Sequence, residues 1–180
     1  MIILSGASAS GKTEIAKILA KKYGMNKVIT TTTRQKRPNE INGIDYFFVN
    51  EEKFLQMIKD ERFVEHIFYN NKHYGSTKDQ IADNKCAVID VEGLKSYMAL
   101  NDKRIVTFYL EVSEEIRYHR MLNRGDNLKS VEERIKVDRI VFSKEKIPNV
   151  DFFILNENID PEDVADDIYK KYLYKLSLNK

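Results

Sequence analysis

Short apolar runs alternate along this chain with stretches whose apolar positions recur every three or four residues. The first run is Met1 to Leu4, uncharged and closed by Ser5, which reads as a strand buried on both faces. Residues 13–20 then carry Ile15, Ala16, Ile18 and Leu19 at helical spacing, and Gly24 suits the end of that helix. Lys27, Val28 and Ile29 predict a short strand. Asn50 is a good N-cap for a helix whose apolar face is Phe54, Leu55 and Ile58. Residues 63–69 and 72–75 read as two strands joined at Asn70 and Asn71, a hairpin signal. Residues 86–91, 104–112 and 151–156 return to the buried-strand type. Between them the pattern predicts one helix capped by Ser113 and another starting at Ser130, with Glu133 completing a capping box. Asp160, Pro161 and Glu162 open the last helix, with Pro at its first position. Apolar strands alternating with helices predict an α/β fold, a parallel sheet covered on both faces, with ligands at the carboxyl ends of its strands.

Composition narrows the picture little. The 180 residues are 42% hydrophobic and 32% charged, enough for one core with small insertions. A net charge of +2 implies no strong field toward nucleic acid or membrane. The single cysteine, Cys86, excludes an internal disulfide framework and fits a reducing, cytoplasmic setting. The start of the chain lacks a signal-peptide layout, and a cleaved leader is not expected so close to a core strand. His66, His73 and His119 show no ligand spacing, and Cys86 reads as a packing residue.

Chemistry enters at the first turn. Gly6, Ala7, Ser8, Ala9, Ser10, Gly11, Lys12 and Thr13 fit the pattern G-x-x-x-x-G-K-[ST], between a strand and a helix as that pattern requires. Small residues let backbone N–H groups converge at a helix N-terminus, where unpaired donors and the helix dipole favour an anion. Lys12 adds a mobile positive charge for the β- and γ-phosphates, and the Thr13 hydroxyl is set to bind Mg²⁺. Downstream, Arg34 and Arg37 stand in a stretch rich in hydroxyls and cations; a guanidinium can grip a phosphate in bidentate fashion. Asp90 ends an apolar strand.

Several motifs in order give the chain a resemblance to the guanylate kinases. They are Gly6 to Thr13; Thr33, Arg34, Arg37, Glu40, Gly43, Asp45 and Tyr46; Glu65 followed by Tyr74, Gly75 and Ser76; Ile89, Asp90 and Gly93; and Arg124, Gly125 and Arg134. The resemblance covers nearly the whole length. It implies one domain over residues 1–180: a P-loop core (1–33, 85–119 and 141–180), an inserted α+β GMP-binding lobe (about 34–84) and a short helical lid (about 120–140). It also implies the reaction ATP + GMP giving ADP + GDP, with dGMP as a further acceptor, Mg²⁺ as cofactor, and neither nucleic acid nor membrane as partner.

The resemblance assigns roles residue by residue. Lys12, Arg37, Arg124 and Arg134 act on the transferring phosphoryl group. Residues 6–13 with Arg120 and Asn156 hold ATP. Arg34, Arg37, Tyr46 and Tyr74 hold the GMP phosphate. Glu65 accepts the two adjacent donors of guanine, N1–H and the N2 amino group, whereas adenine would leave it facing a lone pair. Gly75, Ser76 and Thr30 complete the base site. Asp90, with Thr13, holds Mg²⁺ through water, or instead faces the sugar and base of GMP; both roles stand at this point. Arg117 and Arg139 are expected on a solvated basic face paired with Glu114, Glu115, Glu132 and Glu133.

The chain departs from the family in four places. Ala7 and Ala9 stand where Pro and Gly are usual, and both are small enough to keep the loop. Val88 replaces an expected acid. The lid is one residue shorter between Arg124 and Arg134. Asp126, Asn127 and Leu128 follow Arg124 and Gly125 in place of a Thr-Glu run. Two further readings are open: a kinase of the same fold acting on another phosphorylated acceptor such as ribose 1,5-bisphosphate, and a non-catalytic phosphopeptide-binding module. Glu65 with Tyr74 and Ser76 argues against the first, and Lys12 with Thr13 against the second.

Overall fold

The computed structural model describes residues 1–178, whose strands form two sheets. The strands are β1 (Ile2–Ser5), β2 (Asn26–Lys27), β3 (Thr31–Thr32), β4 (Phe47–Phe48), β5 (Phe63–Tyr69), β6 (Lys72–Thr77), β7 (Lys85–Val88), β8 (Val106–Glu111) and β9 (Phe152–Leu155). The helices are α1 (Lys12–Tyr23), α2 (Glu51–Lys59), α3 (Val91–Ala99), α4 (Glu114–Asn123), α5 (Leu128–Val141) and α6 (Pro161–Leu178). The larger sheet is parallel, in the order β2-β7-β1-β8-β9. The smaller runs β4-β3-β6-β5, with β6 antiparallel to both of its neighbours.

Strand alternation sorts the apolar runs onto two faces of the larger sheet. Ile2 and Leu4 of β1 join Val106, Phe108 and Leu110 of β8 against Ile15 and Leu19 of α1 and Val164, Ala165 and Ile168 of α6. Met1, Ile3 and Tyr109 face the other way, against Leu94 and Tyr97 of α3. Full burial of each aliphatic side chain contributes about 1.5–3 kcal/mol, so a strand with no exposed residue fixes the centre of the sheet. The loop after β1 therefore emerges at the carboxyl edge of the most secure strand.

The smaller sheet has its own core, in which Phe54 and Met57 of α2 pack on Phe63. The expected helix is there, and the Asn50 side chain accepts from the Lys53 N–H. Its buried face is Phe54 and Met57, however, and Leu55 is exposed, because the sheet lies under the i, i+3 row. The hairpin turns at Asn70 and Asn71, with φ of 52° and 58°, as a two-residue turn with the twist of its strands requires.

Four further expectations are corrected. Of residues 27–29, only Lys27 is in strand β2, which pairs at Asn26 and Lys27. Ile29 leaves the sheet because the Gln80 side chain takes both its backbone groups, accepting from its N–H at 2.7 Å and donating to its carbonyl at 2.6 Å. Thr31 and Thr32, assigned above to the core, form an inner strand of the smaller sheet. Ser113 precedes α4 without a side-chain cap, its own N–H donating to Glu157. The cap of α5 is Asn127, which accepts from the Lys129 N–H, and Ser130 lies within the helix. No helix among the described residues is long and apolar enough to cross a membrane.

Candidate functional site

Residues 6–11 turn sharply between β1 and α1. Gly6 and Gly11 have φ of +147° and +93°, and each is hemmed in as well. A Cβ on Gly6 would meet the Leu110 carbonyl at 2.7 Å, and one on Gly11 the Asn156 amide at 2.5 Å. Ala9 is also left-handed, at φ 59°. The expected Gly would accept this freely, whereas alanine there costs about 1–2 kcal/mol. Its methyl packs with Met121 and Val131, which offsets part of that strain.

Lys12 folds back over this loop. Its ammonium donates to the carbonyls of Gly6 at 2.6 Å and Ala7 at 2.8 Å, and to Ser10 Oγ at 3.2 Å. Burial lowers its pKa to about 8; Asp138 opposes that shift and Arg117 adds to it. A desolvated cation satisfied only by neutral oxygens is poised for an anion.

The loop is braced from outside through its carbonyls. Asn156 Nδ2 donates to Ser10 O at 2.8 Å, and Arg120 reaches Ala9 O at 3.4 Å and Asn156 O at 2.9 Å. Asn156 thus spends an amide hydrogen on the loop. Arg120 and Asn156 also line, with Lys12, Thr13 and Arg124, a cavity of about 580 Å³ in front of α1. Residues 9–13 and the two outlying donors expected from sequence meet there.

Of the two lid arginines, Arg124 lines that cavity and Arg134 does not. Arg124 donates to Asp126 at 3.0 and 2.5 Å, and Arg134, exposed on α5, lies 3.7 Å from the same carboxylate. Asp126 therefore gathers both arginines at the turn between α4 and α5. It is one of the residues that replace the usual run, so its hold on them was not foreseen.

On the other side, Arg34 Nη2 donates to Glu40 at 2.6 Å, and its guanidinium lies 5.2 Å from the Tyr46 ring centre. Tyr46 and Tyr74 meet edge to face. The other Glu40 oxygen accepts the Arg37 backbone N–H at 2.8 Å, leaving the Arg37 side chain exposed. These residues cluster around Glu40, to which no role was given.

Glu65 on β5 pairs in register with Ser76 on β6. Gly75 is required beside them, since a Cβ would meet the Phe63 ring at 2.7 Å. Ser76, Thr30 and Thr13 line one cavity of about 840 Å³, and Glu65 and Asp90 line another of about 480 Å³. Val88 and Ile89 border both. Tyr97, unforeseen, lies fully buried behind this region. Its hydroxyl makes no well-formed hydrogen bond, and burial raises its pKa to about 12, with Ser76 and Glu65 close enough to act on it.

The Asp90 side chain caps α3, one oxygen accepting the Gly93 N–H at 2.8 Å. No cluster of three metal-binding side chains occurs among the described residues. Asp90 and Thr13 offer oxygen, the donor type that Mg²⁺ takes, one or two from the protein together with phosphates and waters. Thr13 is exposed at the loop and offers its hydroxyl.

Arg117, expected on a solvated basic face, is buried instead. It is 7% exposed and donates to Asp138, itself 5% exposed, at 2.7 Å. Arg139 does pair with Glu114, at 2.6 Å. The signal for the buried pair lay in periodicity: Asp138 follows Val131 and Ile135 on the apolar row of α5, and Arg117 precedes Met121 by one turn of α4.

The comparisons with known proteins agree with one another. The family model described as guanylate kinase matches residues 1–170. A guanylate kinase of Wolbachia pipientis wMel is 32% identical over 187 residues, covering 98% of this chain and 92% of that protein. One from Coxiella burnetii is 32% identical over 168 residues, covering 89% and 81%. The crystal structure of guanylate kinase from Anaplasma phagocytophilum superposes with a TM-score of 0.65 at 25% identity, covering 98% of this chain and 85% of that one.

Proposed function

The chain belongs to the guanylate kinase family and is an ATP:GMP phosphotransferase, and we propose how its own residues perform that transfer. ATP binds in the cavity before Lys12, and GMP, or dGMP, binds between β5, β6 and the carboxyl end of β7. One observation supports the reading: Thr13 lines both the cavity before Lys12 and the neighbouring one lined by Thr30 and Ser76.

Phosphoryl transfer needs little covalent help from a protein; positioning and charge neutralisation supply most of the rate. Lys12 exchanges the loop carbonyls for β- and γ-phosphate oxygens. Arg34 and Arg37, with the Tyr46 and Tyr74 hydroxyls, hold the acceptor phosphate. Glu65 accepts from guanine N1–H and N2, with Thr30 and Ser76 beside it. Loss of such paired hydrogen bonds can discriminate by about 10⁴–10⁵. Arg124 and Arg134 leave Asp126 when phosphates arrive and neutralise the transferring group, each contributing about 10²-fold. Thr13 would hold Mg²⁺ directly and Asp90 through water, and the ion would supply further charge neutralisation when bound. Residues 31–77 act as the acceptor lobe and α4 with α5 as the lid. The lone thiol of Cys86 suits the reducing cytoplasm, where this reading sets the reaction.

The test is ADP release from Mg-ATP with a panel of monophosphates. Release with GMP, and far less with AMP, UMP or CMP, is expected. Equal release with all four removes Glu65 from its role.

A further inference from the structure

Two charged side chains buried beside the phosphate loop are left unused by the transfer described above. Arg117 of α4 and Asp138 of α5 pair at 2.7 Å. Both oxygens of Asp138 also reach the loop: Oδ2 accepts the Ser8 N–H at 2.9 Å and Oδ1 the Ser8 hydroxyl at 3.1 Å. Arg117 returns to the same residue, Nη1 lying 3.4 Å from Ser8 O, while its Nε donates to Val112 O at 3.3 Å. Ser8 is thus held by N–H, hydroxyl and carbonyl from a single ion pair.

A buried ion pair is a poor device for stability alone. Removing two ions from water commonly outweighs their attraction, and apolar replacement of similar volume is often neutral or stabilising. What such a pair offers is fixed direction. Carboxylate and guanidinium are rigid forks, and here both are aimed at one residue of the loop.

We propose that Arg117 and Asp138 are positioning residues for the reaction, acting through Ser8 to hold the phosphate loop in its anion-binding shape. They couple that shape to the packing of α4 on α5. The left-handed Ala9, next in the chain, makes such a hold useful, because the strained turn would otherwise relax. This inference rests on the reading of the loop as the ATP site.

A double-mutant cycle tests it. ATP and GMP KM values are compared for the natural protein, Ser8→Ala, the paired replacement Arg117→Leu with Asp138→Ala, and all three changes together. Expected is a rise in ATP KM of about three- to tenfold for Ser8→Ala and for the paired replacement, the size of one or two hydrogen bonds. GMP KM should stay within about twofold, and the triple variant should be no worse than the paired one, as for residues acting as a unit. Multiplying effects, or an unchanged ATP KM in the paired replacement, would overturn the proposal. If the paired replacement does not fold, Asp138→Asn takes its place in the cycle with the same two outcomes. Failure of the unaltered protein to turn over Mg-ATP and GMP would instead sink the reading of the loop.

Discussion

Glu40 holds Arg34 and the start of the following turn together: one carboxylate oxygen accepts the Arg34 guanidinium at 2.6 Å and the other the Arg37 backbone N–H at 2.8 Å. The Arg34 side chain draws the Glu40 pKa below the usual carboxylate range, and the Arg37 amide adds to that. Glu40 therefore stays ionised and clasped throughout the neutral range. Its replacement by Gln should free Arg34 to wander and raise the GMP KM by about tenfold, within the range of one charge-assisted hydrogen bond. ATP KM should not move. Steady-state kinetics with each substrate varied in turn check this, and a lower GMP KM would show that Glu40 competes with the phosphate instead.

Glu65→Gln should erode base selectivity more than it erodes binding. The amide keeps one acceptor and turns a donor toward the guanine donors. The ratio of kcat/KM for GMP over AMP should fall by about 10² or more, since an unpaired donor in a base site carries that kind of penalty. Competition assays with both monophosphates measure the ratio directly.

Lys12 makes ATP binding depend on pH. Its pKa in the nucleotide-free protein is lowered to about 8 by burial. Phosphates favour the ammonium, so the bound pKa lies higher, and binding takes up a proton once the free amine has lost its own. ATP affinity should therefore be flat below pH 8 and fall above it, up to about tenfold per pH unit until the bound pKa is reached. Calorimetric titration at pH 7, 8 and 9 in buffers of different ionisation enthalpy shows both the fall and the proton uptake. Lys12→Ala should remove both with turnover, leaving GMP affinity intact.

Gln80→Ala should destabilise the fold through Ile29. Its side chain satisfies the N–H and carbonyl of that residue where it leaves the larger sheet. Without it two half-buried backbone groups lose their partner, at about 1–3 kcal/mol. Denaturant unfolding should show a lower midpoint at unchanged slope.

How far the sequence disclosed this arrangement follows from what each signal encodes. Apolar runs disclosed β1 and β8, because a strand buried on both faces needs no partner to be recognised; the run at β9 was read the same way, but β9 is an edge strand that leaves Phe153 and Leu155 exposed. The phosphate loop was legible for a similar reason: strand, loop and helix are contiguous in the chain. Residues whose meaning depends on a distant partner were not. Asp138 is a lone acid on an apolar row until Ser8 and Arg117 are seen beside it, and Asp126 is a turn residue until two arginines close on it. Tyr97 drew no reading, because only packing brings its buried hydroxyl toward Ser76. Gln80 carried no signal at all, since side-chain mimicry of a neighbouring strand leaves no pattern.

Between β2 and β3 the chain crosses from one sheet to the other in three residues, Val28 to Thr30. The return crossing, from Thr77 at the end of β6 to Lys85 of β7, is longer, and no ladder joins the two sheets among the described residues. What sets the angle between them is an apolar seam, in which Val64 of β5 and Ile81 pack into the cluster of Leu94 and Tyr97.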